Sequence, residues 1–296
     1  MRSMTDLPLP LPQSPEYARA CAVLGITCRV GEDMLPGAAA LRWQLQTRRL
    51  PLVGTVSLLS RGPVAAQPAD AESWLREWRM AEPLVLNADG LSGAALRRAG
   101  FWPLLTPATL ALVPLGPETE MRAALRQKWR NRLARGARGN LALRRMPLQG
   151  AHWLLGAEAA QARARRYRNL PPAFLAAFAK ANPGAALIWE ARQGGTPVAA
   201  IAVLRHGRMA SWTTGVATAQ GRAANAMPLL LWEAMRWLAA RGHDQLDLGI
   251  LNDDDAPGVT RFKLGTGARP HRLGGTWLRC RALAPLARHL PKGLAT

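Results

Sequence analysis

The sequence predicts an α/β (α+β) protein made of two tandem units, each a mixed central sheet flanked by helices. Two observations carry this expectation. A chain of 296 residues exceeds the roughly 100–200 residues of an ordinary domain, which points to two units. Each half also reads in the same order, β-β-β-α-β-α-β, without residue-level identity between the halves and with a period far longer than that of a solenoid. Composition agrees, since 49% hydrophobic and 20% charged residues are ordinary for a folded globular chain and far from disordered or collagen-like classes.

The expected N-terminal unit spans residues 1–117. After a Pro-rich lead-in, residues 15–24 suit a short helix, and strand-like segments follow near 26–30, 40–47 and 51–60, closed by Gly62-Pro63. Trp74, Leu75 and Trp78 share one face of a predicted helix over 70–81, and the apolar run 83–88 reads as a buried strand. A helix over 92–99 and a strand over 107–114 complete this half.

Residues 118–147 form a basic connecting helix and strand. Glu118 and Glu120 open a helix predicted over 118–138, arginines fill its remainder, and this polarity suits the helix dipole. Met121, Leu125, Trp129 and Leu133 mark its buried stripe. The expected C-terminal unit, residues 148–296, contains strands at 185–191, 197–205 and 208–214 and a helix at 223–241. Gly242 stops that helix. A strand at 245–250, a helical turn at 257–264 and a final strand at 271–279 follow.

The chain has 39 Lys and Arg against 19 Asp and Glu, a formal net charge of +20, so it attracts polyanions. An arginine-rich, lysine-poor balance is also the mark of a GC-biased genome, and only Lys128, Lys180, Lys263 and Lys292 are lysines. Cys21, Cys28 and Cys280 form no CxxC or Cys/His spacing, so neither a disulfide framework nor a metal site is expected. The N-terminus lacks an apolar signal core, and no run reaches the roughly 18 apolar residues of a membrane span. The expectation is a cytoplasmic protein.

Three constellations are chemically suggestive. Arg122, Arg126, Lys128, Arg130, Arg132, Arg135 and Arg138 run without an intervening acid, which suits phosphate contacts or a solvated helix face. Ser60-Arg61-Gly62-Pro63 ends a strand, where loops of α/β folds line ligand crevices and glycine admits a close backbone approach. In the third, a strand delivers Asp247, a polar loop with Asn252, Asp253, Asp254 and Asp255 follows, and a short helix presents Arg261, Phe262 and Lys263. The acids also suit plain turn chemistry, with Asp254 or Asp255 capping the next helix.

Residues 125–138 (LRQKWRNRLARGAR), 228–240 (PLLLWEAMRWLAA), 247–249 (DLG) and 261–268 (RFKLGTGA) occur in an order that resembles the FemAB-related branch of the GNAT N-acyltransferase superfamily. The similarity extends from about Arg61 to Trp277. It implies two GNAT-like domains, with the reaction centre in the second. By this resemblance Lys263 stabilises the oxyanion and Phe262 walls the site, and Asp247 joins Lys263 as a catalytic candidate. Arg61, Gly62, Arg130, Trp212, Asn225, Asp253 and Arg261 are the further candidates for substrate binding.

The chemistry fits this placement. An amine attacks an activated ester or thioester, negative charge grows on the carbonyl oxygen, and a fixed ammonium lowers the barrier. Asp247 or one of Asp253 to Asp255 could take the amine's proton, and proton transfer assisted by the substrate is equally open. His206, His243 and His271 read as structural or surface residues.

The implied partners are an amine acceptor and an activated co-substrate, acyl-CoA or aminoacyl-tRNA, with no permanently bound cofactor. GNAT enzymes ordinarily cradle the acyl-CoA pyrophosphate with a Gln/Arg-x-x-Gly-x-Gly/Ala loop at a helix start. Residues 219–226 lack that spacing, and no long paired-helix insertion of the kind that grips transfer RNA is present. The donor therefore stays open. The alternatives are a non-catalytic basic RNA- or DNA-binding protein, or a degenerate GNAT pair that serves as a scaffold.

Overall fold

A computed structural model describes residues 7–34, 40–51, 54–77, 82–167, 169–282 and 284–287. The chain divides into one unit of Met1–Thr109 with His271–Thr296 and a second of Leu110–Pro270.

In the first unit the chain runs through α1 (Pro15–Val23), β1 (Thr27–Met34), β2 (Ala40–Leu50), β3 (Gly54–Ser60), α2 (Pro68–Glu77), β4 (Leu84–Ala88), α3 (Gly93–Arg98) and β5 (Trp102–Leu105). Ser14 caps α1 by accepting from the Tyr17 amide, and Pro15 stands where a helix needs no amide hydrogen. β1, β2 and β3 pair antiparallel, and β3 runs parallel to β4. Leu41, Leu45, Leu59, Leu75, Leu86, Phe101 and Trp277 centre the core. Trp78, expected on the α2 face, lies outside the described residues.

The second unit contains β6 (Thr109–Pro114), α4 (Glu118–Ala124), α5 (Gln127–Arg138), β7 (Ala142–Pro147), α6 (Trp153–Arg165), α7 (Pro172–Ala181), β8 (Ala186–Gln193), β9 (Thr196–His206), β10 (Met209–Ala217), α8 (Ala219–Ala223), α9 (Ala226–Ala239), β11 (Gln245–Leu251), α10 (Pro257–Gly265) and β12 (Arg269–Arg272). Its strands lie in the order β12-β6-β11-β10-β9-β8-β7. Leu187, Trp189, Ile201 and Val203 pack with Leu230, Ala234 and Leu238 of α9 and with Trp129 and Leu133 of α5. The alternate residues Ile188, Ala200, Ala202 and Leu204 are also buried, on the face that the period-2 geometry of a strand turns away from that cluster.

The last strand, β13 (Gly275–Arg279), pairs antiparallel with both β4 and β5. This corrects the expected division into 1–117, 118–147 and 148–296. β6, read as completing the first half, lies beside β11, while β13, read as completing the second, lies inside the first sheet. The strand-forming pattern gives each segment a buried face and leaves open which sheet receives it. The basic segment is likewise no separate connector, because α4 and α5 belong to the second unit's core.

The helix expected over 118–138 is two helices. Leu125 and Arg126 have extended backbone, with ψ of 135° and 148°, and the Arg126 amide donates to Gly265 O at 3.0 Å instead of within its own helix. The helix expected over 223–241 is also divided, by Asn225 in the left-handed region at φ 53°. α6 and α7 had no counterpart in the sequence reading, because their alanine-rich segments blur the contrast between apolar and polar faces. Among the described residues no helix is long and apolar enough to cross a membrane.

Candidate active site

The second sheet opens where β10 meets β11. These parallel strands pair through Met209↔Gln245, Ala210↔Leu246 and Ser211↔Asp247, and the register ends there although both strands continue. The antiparallel register of β10 with β9 shifts between Trp212 and Thr214, and such a bulge re-aims the side chains beside it. Trp212 Nε1 donates to Thr214 O at 2.7 Å, which fixes the indole at the mouth of the opening.

Lys263 reaches the other lip. It is only 9% exposed, and its Nζ donates to the Ile250 carbonyl of β11 at 2.7 Å. The ammonium lies 5.9 Å from the Trp212 ring centroid, within range of a cation–π attraction. Phe262 packs between two indoles, with centroids 6.1 Å from Trp212 and 6.0 Å from Trp129. Burial lowers the Lys263 pKa to about 8, against an opposing upward pull from Asp247. Asp247 is itself buried, and its Oδ1 accepts from the Gly249 amide at 2.7 Å.

Two glycines make this arrangement possible. Gly249 has φ +76°, a left-handed conformation that a side chain resists, and a Cβ there would lie 3.7 Å from Lys263 Nζ. A Cβ on Gly265 would stand 2.5 Å from Trp129 Cδ1, so the close seating of α10 on α5 depends on its absence. Sequence reading assigned Trp129 to the core and singled out neither glycine for this site. The Asp-Leu-Gly triplet was the available signal for Gly249.

The remaining candidates are placed as follows. Arg261 is exposed on α10, and Asp253 is exposed in the preceding turn. Asp255 does not cap α10: its amide and carboxylate both bond the Asn252 side chain, while the N-cap position is Ala256 without a side-chain cap. Arg130 turns back on its own chain, bonding Gln127 Oε1 at 2.6 Å and Ala123 O at 3.4 Å. Asn225 starts α9, and its carbonyl oxygen lies 2.8 Å from where a Cβ of Gly136 would be.

Arg61 and Gly62 belong to the first unit. Arg61 Nε donates to Asp89 Oδ2 at 2.8 Å, and Asp89 Oδ1 is 2.5 Å from His271 Nε2. Despite burial, these two partners hold the Asp89 carboxyl below its ordinary pKa. A Cβ at Gly62 would meet the buried Gln13 amide at 2.6 Å. His206 is buried with Nε2 2.9 Å from Ser211 Oγ, and His243 is buried and accepts from Arg205 Nε at 3.0 Å.

Four amides of the loop before α9 are bonded within the loop itself. Gly221 N donates to Thr218 Oγ1, Arg222 N to Thr218 O, Ala224 N to Gln220 O and Asn225 N to Arg222 O. These N–H groups are spent inside the turn, and Gly221 is pressed on the Val198 carbonyl. They do not form the amide cradle that a pyrophosphate requires.

A family model for the acetyltransferase (GNAT) domain matches residues 119–271, just over half the chain. The chain belongs to this family. Among solved structures, it is similar in fold to FemX, with a TM-score of 0.75 and 13% identity over 97% of this chain and 96% of that one. It also matches a conserved protein of unknown function from Bacteroides thetaiotaomicron, with a TM-score of 0.56 and 11% identity over 90% of each chain. A third similar structure is the C-terminal domain of a lysylphosphatidylglycerol synthetase candidate from Agrobacterium fabrum, with a TM-score of 0.52 and 15% identity over 94% of this chain and 91% of that one. No curated protein matches the sequence. The two tandem GNAT-like units and the FemAB-related resemblance agree with these folds.

Proposed function

We propose that the protein transfers an acyl or aminoacyl group from an activated ester or thioester to an amine, with the reaction centred on Lys263. The observation that carries this reading is a buried ammonium fixed on the Ile250 carbonyl where β10 and β11 part, flanked by Trp212 and Phe262. A cation held there needs no reorganisation as charge develops on the carbonyl oxygen.

The acceptor nitrogen attacks the carbonyl carbon, and the carbonyl π electrons move to the oxygen opposite Lys263. The C–N bond is formed, and collapse of the tetrahedral species breaks the bond to the carrier's oxygen or sulfur. Asp247, whose charge acts on Lys263, accepts the proton lost by the amine and returns it to the leaving group. Phe262 and Trp212 wall the reacting group from water.

Internal use of the amides of Gly221, Arg222, Ala224 and Asn225 favours a donor held by contacts other than the usual pyrophosphate loop. Aminoacyl-tRNA and acyl-CoA are distinguished by offering each, radiolabelled in its acyl group, with a panel of amine acceptors. Transfer by the unmodified protein, with loss of at least a hundredfold in Lys263→Ala that remains folded by circular dichroism, is the expected result. Full transfer by Lys263→Ala would overturn the assignment.

A further inference from the structure

The last turn of α9 carries a second concentration of charge. Trp237 is half-buried, and three guanidinium groups converge on its ring, with Cζ atoms 3.8 Å (Arg241), 4.5 Å (Arg145) and 5.1 Å (Arg205) from the centroid. They come from separate elements: Arg145 from β7, Arg205 from β9, and Arg241 from the segment just beyond α9. Every pair of these cations therefore lies within about 10 Å, one Debye length at 0.1 M salt.

Among the described residues, none of the three meets a carboxylate. Arg205 bonds His243 Nε2 and Gly184 O, Arg241 bonds Trp237 O, and Arg145 has only its contact with the ring. Asp244, the nearby acid that acts on His243, is engaged by Nε and Nη2 of Arg208. Burial and the neighbouring Arg241 hold the Arg205 pKa below the usual guanidinium value.

The carboxyl end of a helix attracts cations, which accounts for Arg241. It does not account for Arg145 and Arg205, carried in from two strands of the sheet. One indole has only two faces, so three cation–π contacts leave like charges crowded together with guanidinium edges directed elsewhere. Such an arrangement is relieved by an anion that bridges the edges, and the planar guanidinium fork matches phosphate oxygens.

We infer that Trp237, Arg145, Arg205 and Arg241 form a binding site for clustered phosphate groups, separate from the Lys263 centre. The separation follows from the helix. Met227, in the first turn of α9, lies against Gly215 beside Trp212, and ten residues of helix to Trp237 span about 15 Å.

The phosphates can be those of a small polyphosphate or of an RNA backbone, and one set of variants distinguishes them. Pyrophosphate binding is measured by calorimetry, and binding of a fluorescein-labelled 12-nucleotide RNA by anisotropy across a salt series. The variants are the double substitution Arg145→Gln/Arg241→Gln and, as a control for net charge, Arg135→Gln/Arg138→Gln on α5.

A drop of at least tenfold in pyrophosphate affinity, confined to the first pair, identifies a small-polyphosphate site. If pyrophosphate does not bind, a drop of at least tenfold in RNA affinity confined to that pair, with a shallower salt slope, identifies RNA as the source. Lys263→Ala retains binding in either case, which keeps this site distinct from the catalytic reading. Equal losses in both pairs, unchanged affinity in the first pair, or no binding of either probe by the wild type would overturn the proposal.

Discussion

In the proposed reaction the chemistry turns on Lys263, and the environment of that residue sets a pH signature. An ordinary lysine remains an ammonium to beyond pH 10. Here burial lowers the pKa to about 8, so the cation that opposes the oxyanion is lost as pH rises through about 8. We expect kcat/KM to fall above that point, with a lower limb set by the acceptor amine. In Lys263→Arg the upper limb should vanish along with most of the rate, because a guanidinium does not titrate in this range and cannot reproduce the Nζ contact with Ile250 O.

His243 has the opposite sign of linkage to the usual partnered histidine. Burial and then Arg205 lower its pKa from 6.5 to about 4, so the unfolded chain binds more protons than the folded one between these values. Its contribution to stability is present above pH 6.5 and lost as pH falls toward 4. Thermal midpoints measured across that window should decline less steeply in His243→Gln than in the wild type. Gly249→Ala tests the strand exit: a left-handed φ of +76° should make it about 1–2 kcal/mol less stable in urea titrations, and it should slow transfer through the shifted Ile250 carbonyl.

At the scale of elements, the site depends on how α10 meets α5. Gly265→Ala places a methyl group 2.5 Å from Trp129 Cδ1, and overpacking of this kind costs about 1–3 kcal/mol. Because Phe262 stacks on the same indole, we expect lower kcat in the folded variant as well as a reduced urea midpoint. The interruption between α4 and α5 has the same origin, since the Arg126 amide bonds Gly265 O.

Most elements were legible from periodicity. The helix at Ala226–Ala239 and the strands at Ala186–Gln193 and Thr196–His206 match their apolar patterns closely. What escaped was set by particular hydrogen bonds rather than by periodicity. The helix break at Leu125 follows a backbone group more than a hundred positions away, and Asp255 turned to Asn252 rather than capping α10. α6 and α7, rich in alanine, offered no sharp stripe to read.

Across the whole molecule, the strand exchange decides where each core ends. Trp277 is 2% exposed in the core of the first unit, although the whole of Leu110–Pro270, assigned to the other unit, precedes its segment. Truncating it to alanine should cost about 3–5 kcal/mol in urea unfolding, with the loss reported by signals from the first unit, such as exchange of the β4 amides.

By itself the sequence determined the two-unit α/β class and most element positions, because these follow from local periodicity, while Phe262 and Lys263 were singled out by the family resemblance and by the rarity of lysine in this chain. Only the tertiary structure decided which sheet received β6 and β13, how Ile250 and Trp212 meet the Lys263 ammonium while Trp129 backs Phe262, and that Arg145, Arg205 and Arg241 meet on one indole. Those outcomes depend on contacts between residues remote in sequence. A pattern of buried and exposed positions specifies that a face will be covered, and the packed chain selects what covers it.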